Sequence, residues 1–303
     1  MSVAASQRLL LDALLLSPAK AEEAWRSWRA ATDLDRLDNA AFHLLPTLAG
    51  RMPAWIRSDP QRGILMGICR RAWSENQVQR KLLAEAVQVL VASGIGQVAA
   101  TGPVVWGALY WPEGAIRPIG MVDLLVAPAM ARAALEALSR DGWKALDRIP
   151  DFAGKGFPFA AGVMLQSPSG GHMRVHWRLL PNTDISVQRP EFPPLEALRP
   201  DLGAPYTIPM EQSLVAALGG IHQDGLDWHL DALMICRQPG LSWTKVAELL
   251  RWRSVLRLRL EELRRECGAE FPAVVTKAAW THGLERLLAD TLRVYRRLRS
   301  DSA

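Results

Sequence analysis

The chain has few cysteines and no long apolar run. Its 303 residues include three cysteines, Cys69, Cys236 and Cys267, which lie far apart and form no C-x-x-C pair. This spacing predicts reduced, mostly buried thiols, as expected of a cytoplasmic protein. No apolar stretch is long enough to span a bilayer, and the early leucine-rich run is interrupted by Asp12 and lacks a basic start. The sequence therefore predicts no membrane partner and no signal peptide.

The chain also has little excess of positive over negative charge. The net charge is +5, from 36 Lys and Arg against 31 Asp and Glu. This modest excess allows contact with phosphate-bearing partners but does not require nucleic acid. Arginine-rich segments at 251–265 and 293–299 also contain or adjoin acidic residues, which favours a solvated or ion-paired helix surface over a nucleic-acid site. The sequence contains no G-x-x-x-x-G-K-[ST] loop and no persuasive Ser-His-Asp or Cys-His signature.

Hydrophobic periodicity predicts an α+β fold with helices at both ends of the chain. Helical spacing covers residues 5–52, and a long helix is predicted from Asp59-Pro60 to about Ala92, with Ser93-Gly94 as its stop signal. Helical segments alternate with breaks from Met210 onward. The predicted segments are an N-terminal helical segment at 1–95, an α/β core at 96–180, a proline-rich connector at 181–209 and a C-terminal helical domain at 210–303. The connector is predicted to be a surface linker or lid.

The stretch from Val98 to Val126 organises the predicted core. It predicts a short strand that ends at Thr101-Gly102, a tight turn, a helix opened by Pro103, a loop and a buried strand at 121–126. Asp123 is the one carboxylate in that apolar strand, so it must be paired or hydrogen-bonded. Further strands are predicted at 143–146, 160–166 and 173–179.

Three motifs resemble the uncharacterised nucleotidyltransferase family of the DNA polymerase β-type superfamily. They are T-G-P-V-V-W-G-A-L-Y at 101–110, R-P-I-G-M-V-D-L-L-V at 117–126 and H-W-R-L at 176–179. The resemblance implies a small mixed β-sheet of the nucleotidyltransferase type between N-terminal helices and a C-terminal helical bundle. It also implies a site in which three carboxylates on neighbouring strands hold Mg²⁺ ions against nucleotide phosphates.

The motifs depart from the family pattern at the residues that carry the chemistry. Thr101 stands where the family usually has Lys, Met121 stands at the first Asp of the second motif, and Arg174 stands at the third carboxylate. A thioether and a guanidinium cannot replace carboxylates on Mg²⁺, because this cation prefers oxygen ligands. The resemblance therefore implies a catalytically degenerate member, a pseudoenzyme, in which Mg²⁺ is not expected and Asp123 would be a metal ligand only if a metal binds at all.

The resemblance assigns site roles that compete with structural ones. Asp123 and His176 are the catalytic candidates. The structural alternative for Asp123 is a two-pronged ion pair with Arg174. The alternative for His176 is a buried, hydrogen-bonded position beside Trp177. The nucleotide- or phosphate-binding candidates are Thr101, Gly102, Arg117 and Arg174. For Gly102 the alternative is a purely structural turn, and for Arg117 it is a salt bridge within a loop.

Two further clusters of polar residues receive structural interpretations. The segment H-Q-D-G-L-D-W-H-L-D contains His222, Asp227, His229 and Asp231 at spacings that resemble metal ligands, but helix–helix hydrogen bonding is favoured. Asp33, Asp35 and Asp38 lack the glycine and the closing glutamate of a calcium loop, so capping and solvation are favoured.

The leading functional hypothesis is a nucleotide- or anion-binding or accessory protein in a bacterial biosynthetic pathway, with ATP or another NTP as ligand. The accessory role is implied by the resemblance alone, and it allows a peptide or protein partner. A second hypothesis is an active enzyme that transfers NMP from an NTP to a small-molecule or peptide acceptor. Such an enzyme would need acids from elsewhere, for example Asp147, Asp151 or Asp184. A third hypothesis is a non-enzymatic interaction module that uses the C-terminal helices.

Overall fold

A computed structural model describes most of the chain. The described residues are 5–37, 39–51, 53–152, 161–180, 192–220, 228–251 and 253–267, with 271–272 and 275. They form an α+β structure with a mixed seven-stranded sheet and flanking helices, which confirms the predicted fold class. The boundaries of the four predicted segments stay a prediction.

The N-terminal residues form helices, as the helical spacing over residues 5–52 predicts. Helix α1 covers Ala5–Leu15, α2 covers Pro18–Ala31, α3 covers Asn39–Gly50 and the short α4 covers Ala54–Arg57. Pro18 lies in the first turn of α2, where its missing N–H has no intrahelical partner to lose. Asp33 accepts a hydrogen bond from the backbone N–H of Asp35 at 3.0 Å, so it caps a short turn as predicted. Asp38 lies outside the described residues.

The long helix α5 covers Arg62–Ala92 and ends at the predicted stop signal. It begins later than predicted, because Asp59 does not cap it: one Asp59 oxygen accepts from the Gln61 backbone N–H at 2.8 Å, and the other pairs with Arg29 at 3.0 Å. Gly94 ends the helix region with a φ of 82°, the left-handed conformation that glycine adopts without strain. Among the described residues, no helix is both long and apolar enough to cross a membrane.

The sheet has the strand order β3-β4-β5-β2-β1-β7-β6. The strands are β1 Val98–Thr101, β2 Val122–Val126, β3 Lys144–Ala145, β4 Gly162–Gln166, β5 His172–His176, β6 Glu196–Ala197 and β7 Tyr206–Thr207. Strand β2 pairs antiparallel with β1 and parallel with β5. Helix α6, Pro103–Leu109, connects β1 towards β2, and α7, Ala131–Arg140, follows β2 and packs on the sheet with α5.

The interpretation of the connector as a linker or lid needs a correction. Two of its segments, β6 and β7, pair antiparallel with each other, and β7 adds to the sheet parallel to β1. The Thr207 hydroxyl donates to the Ala100 carbonyl oxygen at 3.1 Å, which holds β7 against β1. Strands of two residues are too short to show a period-two pattern, so no pattern in the sequence predicts them.

The C-terminal helices share one hydrophobic core with the N-terminal helices. Helix α8 covers Met210–Gly219, α9 covers Trp228–Cys236, α10 covers Trp243–Leu249 and α11 covers Ser254–Cys267. Buried side chains of both ends, such as Trp28 and Leu263, belong to one cluster, which also includes Trp106 and Trp111 beside the sheet. A second cluster lies between the sheet and helices α5 and α7.

Two cysteines supply a prediction about reactivity. Burial raises the pKa of the Cys69 thiol from its ordinary value of 9.0 to about 11 and that of Cys236 to about 12. In a Cys267→Ser protein, we expect a thiol reagent at pH 8 to label the native chain much more slowly than the urea-unfolded chain, because the reactive species is the thiolate.

The same shifts give the sign of a pH dependence. The pKa of each thiol is raised on folding, so its contribution to stability is complete below pH 9.0 and declines as the pH rises towards 11 and 12. Urea unfolding at pH 8 and pH 10, with Cys69→Ala as the comparison, measures the contribution of Cys69. In the labelling experiment, equal rates in the native and the unfolded chain would contradict the burial of the two thiols.

Candidate functional site

The two faces of the central strands have different compositions. On β2, Val122, Leu124 and Val126 point into the apolar cluster under α5 and α7, and Asp123 and Leu125 point to the opposite face. That opposite face is partly covered by Ile208 and by side chains of the connector, such as Phe192 and Leu195. The predicted site residues of the strands therefore lie on the face away from α5 and α7.

Register places the motif residues in one row across three strands. Asp123 on β2 lies beside Thr101 on β1 and beside Arg174 on β5. This is the approach of Arg174 to Asp123 that the motif comparison predicts. Directly opposed residues on neighbouring strands have Cβ atoms about 4.5–5.5 Å apart, so their side chains can act on one ligand. Arg174 is half-buried, whereas Thr101 and Asp123 are each 1% exposed.

The Asp123 carboxylate is hydrogen-bonded to His176. The distance from Asp123 Oδ1 to His176 Nε2 is 2.6 Å, and both side chains are almost completely buried. This geometry satisfies the sequence-based requirement that a buried Asp123 be paired. The two-pronged ion pair between Asp123 and Arg174 stays a prediction, as does any catalytic role of the two hydrogen-bonded residues.

Gly162 permits this position of His176. A Cβ atom on Gly162 would lie 2.5 Å from the Val175 carbonyl oxygen and 3.1 Å from His176 Nδ1. Strand β4 can therefore approach β5 at this point only because residue 162 has no side chain. Sequence reasoning did not single out Gly162, although a glycine within a strand often marks a close approach between backbones.

Thr101 and Gly102 form the turn between β1 and α6. Gly102 has φ 73° and ψ −158°, a backbone region that is almost exclusive to glycine, so a tight turn requires this residue. The Thr101 hydroxyl is buried and has no hydrogen-bond partner among the described residues. A polar atom in this state is available to a ligand or a water molecule at the Asp123 row.

The residues of the row do not fit a magnesium site. Mg²⁺ requires several oxygen ligands in near-octahedral geometry, but the row offers one carboxylate, already hydrogen-bonded to His176, beside a guanidinium. Met121, which stands at the first Asp position of the motif that the chain resembles, is buried and carries a thioether. Within the described ranges, no three His, Cys, Asp or Glu side chains converge in a way that could hold a metal.

Arg117 is placed in a buried ion pair instead of an open anion site. Its guanidinium donates from Nε to Asp231 Oδ1 at 3.2 Å and from Nη2 to Asp231 Oδ2, and its side chain is 1% exposed. The Trp111 indole N–H donates to the same Oδ1 at 3.1 Å. This geometry favours a salt bridge over the phosphate-binding role, although the partner lies on α9 and not within the loop. Asp231 takes part in hydrogen bonding between elements, which was favoured over metal binding for the segment H-Q-D-G-L-D-W-H-L-D.

Of the remaining sequence candidates, Asp147 lies apart from the row. Asp147 accepts a hydrogen bond from the Met164 backbone N–H at 2.9 Å at the edge formed by β3 and β4, so β4 and β5 separate it from β2. Asp151 is exposed. His229 is buried and its ring stacks on Trp228 with a centroid distance of 3.8 Å. Asp184, His222 and Asp227 lie outside the described residues.

Sequence reasoning missed the strength of the Arg117–Asp231 contact and the role of Asn76 beside it. Asn76 on α5 is buried, donates from Nδ2 to the Arg117 carbonyl oxygen at 2.8 Å and accepts from the Ile119 N–H at 2.8 Å. A signal was available for Asp231, a carboxylate in the apolar helical stretch L-D-A-L-M-I, because such a residue must be hydrogen-bonded. Asn76 lies in the polar stretch S-E-N-Q, so its sequence neighbours carried no such signal.

Comparisons with known proteins add a weak structural likeness. No protein-family model matches the chain, and no curated protein matches it. Among solved structures, the chain is similar to one described as an antigenic nucleotidyltransferase-like protein from Paracoccidioides brasiliensis. The two share 15% sequence identity with a TM-score of 0.35, over 62% of this chain and 88% of the other. A likeness at this level carries no argument about the site or its chemistry.

Proposed function

We propose that this chain is a nucleotidyltransferase-type protein that binds a nucleotide, or another phosphate-bearing small molecule, without catalysing metal-dependent transfer. The observation that carries the proposal is the row of Thr101, Asp123 and Arg174 on three neighbouring strands. In this row a guanidinium lies beside a carboxylate that is already hydrogen-bonded to His176. The proposal is also supported by the resemblance of the motifs, which implies that nucleotide phosphates would bind at this turn.

The chemistry of the row suits an anion better than a cation. Arg174 supplies a permanent positive charge and up to five donors, which match phosphate oxygens in a two-pronged geometry. The Thr101 hydroxyl is a buried donor or acceptor with no partner among the described residues. One oxygen of the Asp123 carboxylate already has a partner within the protein, because Oδ1 is hydrogen-bonded to His176 Nε2 at 2.6 Å.

A thermal-shift experiment tests the proposal. We expect ATP in excess EDTA to raise the melting temperature, because a ligand at 100 times its Kd stabilises the native state by about 2.7 kcal/mol. The shift should be lost in Arg174→Ala and retained in Arg140→Ala, a matched loss of one arginine at an exposed position on α7. Each NTP and inorganic triphosphate should be compared, since the row alone does not select a base.

The same preparations decide between the proposal and active transfer. Mass-detected incubation with each NTP, Mg²⁺ and candidate small-molecule or peptide acceptors should show no NMP adduct. An adduct that disappears in Asp123→Ala would overturn the proposal and establish the active enzyme. The absence of any shift with every nucleotide, with and without Mg²⁺, would also contradict it and would leave the interaction module as the better hypothesis.

A further inference from the structure

We infer that Asp231, on the C-terminal helix α9, is a positioning residue for the Asp123 row. Through Arg117 it fixes the loop at 111–121, which leads directly into β2. The inference rests on the proposed function for the ligand of the row, but it makes a separate statement about geometry. According to it, the nucleotide site is complete only when the C-terminal helices are docked.

The Asp231 end of the connection is buried, and both of its carboxylate oxygens accept hydrogen bonds. Asp231 accepts from two nitrogens of Arg117 and from the Trp111 indole, with side-chain exposures of 1% for Arg117 and 3% for Asp231. Gly107 on α6 makes room for Arg117, because a Cβ on residue 107 would lie 3.0 Å from Arg117 Cβ. The ion pair is therefore held by shape as well as by charge.

Other elements hold the same loop on both sides of Arg117. Asn76 on α5 bonds to the Arg117 carbonyl oxygen and to the Ile119 N–H, and the Thr47 hydroxyl on α3 donates to the Ile116 carbonyl oxygen at 3.2 Å. At the start of the loop, Gln238, which follows α9, donates to the Tyr110 carbonyl oxygen at 2.9 Å. The loop is thus fixed by the N-terminal and C-terminal helices together.

The loop determines where Asp123 lies because it sets the entry of β2 into the sheet. The Asn76 contact to Ile119 lies four residues before Asp123. Side chains of a strand alternate between faces, so a small slip at its entry changes which groups face Thr101 and Arg174. Asp231 acts on the row through this geometry, since the contacts shown for its carboxylate go to Arg117 and Trp111.

Two variants and one control test the inference in the full chain. Asp231→Asn keeps the shape and removes the charge, and Trp111→Phe removes the indole donor together with the five-membered ring that carries it. Ser242→Ala is the control, because it removes the side-chain cap of α10, where the Ser242 hydroxyl accepts from the Lys245 N–H, without touching the loop. Each protein is studied at a temperature at which circular dichroism shows it to be fully folded.

Two measurements separate positioning from stability. The first is the Kd for ATP in EDTA, and the second is the imidazole ¹⁵N–¹H spectrum of His176, assigned with a His176→Gln variant. We expect Asp231→Asn to weaken ATP binding by about tenfold and to shift the His176 signals, since a hydrogen bond to a charged group is lost. Trp111→Phe should produce the same changes to a smaller extent. Ser242→Ala should lower the melting temperature and leave both readouts as in the wild type.

The outcomes distinguish the inference from the function on which it rests. If Asp231→Asn and Trp111→Phe lower the melting temperature while the His176 spectrum stays as in the wild type, the inference is wrong. If the wild type binds no nucleotide, the proposed function fails, and the His176 spectrum still decides whether Asp231 positions the row. If Asp231→Asn does not fold, the His176 spectrum of Trp111→Phe decides whether the inference holds.

Discussion

Replacing Asp231 by alanine is expected to lower the free energy of unfolding by about 3–5 kcal/mol, because it leaves a buried guanidinium without its partner. The Arg117 side chain is 1% exposed, so water cannot readily solvate the stranded charge. The Trp111 indole N–H would lose its acceptor in the same variant. Urea unfolding, monitored by circular dichroism and extrapolated to water, measures the difference.

Two controls make this expectation specific to burial. Glu75→Ala breaks the exposed Arg71–Glu75 ion pair on α5 and should cost less than about 1 kcal/mol. The double variant Arg117→Met with Asp231→Leu should recover most of the loss, because apolar groups of similar size need no partner. A loss below 1 kcal/mol in Asp231→Ala would show that the ion pair is open to solvent, contrary to the structure.

Gly162→Ala is expected to be the second most damaging of these substitutions, at about 1–3 kcal/mol, because a methyl group would overpack the contact between β4 and β5. The new Cβ would lie 2.5 Å from the Val175 carbonyl oxygen, and backbone atoms cannot move aside as a flexible side chain can. The same methyl group would press on the His176 ring, so the His176 imidazole signals should shift.

Gly63→Ala is the matched control for this prediction. Gly63 lies in α5, and a Cβ there would meet no atom within 4 Å. Gly63 is the second residue of α5, and alanine suits a helix better than glycine, so this variant should be at least as stable as the wild type. A Gly162→Ala protein that is as stable as the wild type, with unchanged His176 signals, would contradict the close packing of the two strands.

The parts of the fold that the sequence predicted best are those with strong local signals. The stop signal at Ser93-Gly94 predicted the end of α5, and the apolar runs around 98–101 and 121–126 predicted β1 and β2. The turn at Thr101-Gly102 was also predicted, since a glycine followed by proline indicates a turn before a helix. Strands β6 and β7 were not predicted, because two residues are too few to show a periodic pattern.

The sequence predicted which residues form the candidate site better than it predicted the contacts between them. The motifs placed Asp123 and Arg174 on neighbouring strands, and the register agrees. The hydrogen bond from His176 to Asp123 joins residues 53 positions apart, and the Arg117–Asp231 pair joins residues 114 apart. Contacts over such distances depend on how the elements pack, which no window of the sequence contains.

Local signals in the sequence were enough to predict the fold class and the order of the central strand, turn, helix and strand. The partner of each buried charge follows from the packing of the elements in three dimensions: His176 for Asp123 and Asp231 for Arg117. The physical reason is that local preference and hydrophobic period act over a few residues, whereas a buried charge must find a partner among all the elements that enclose it.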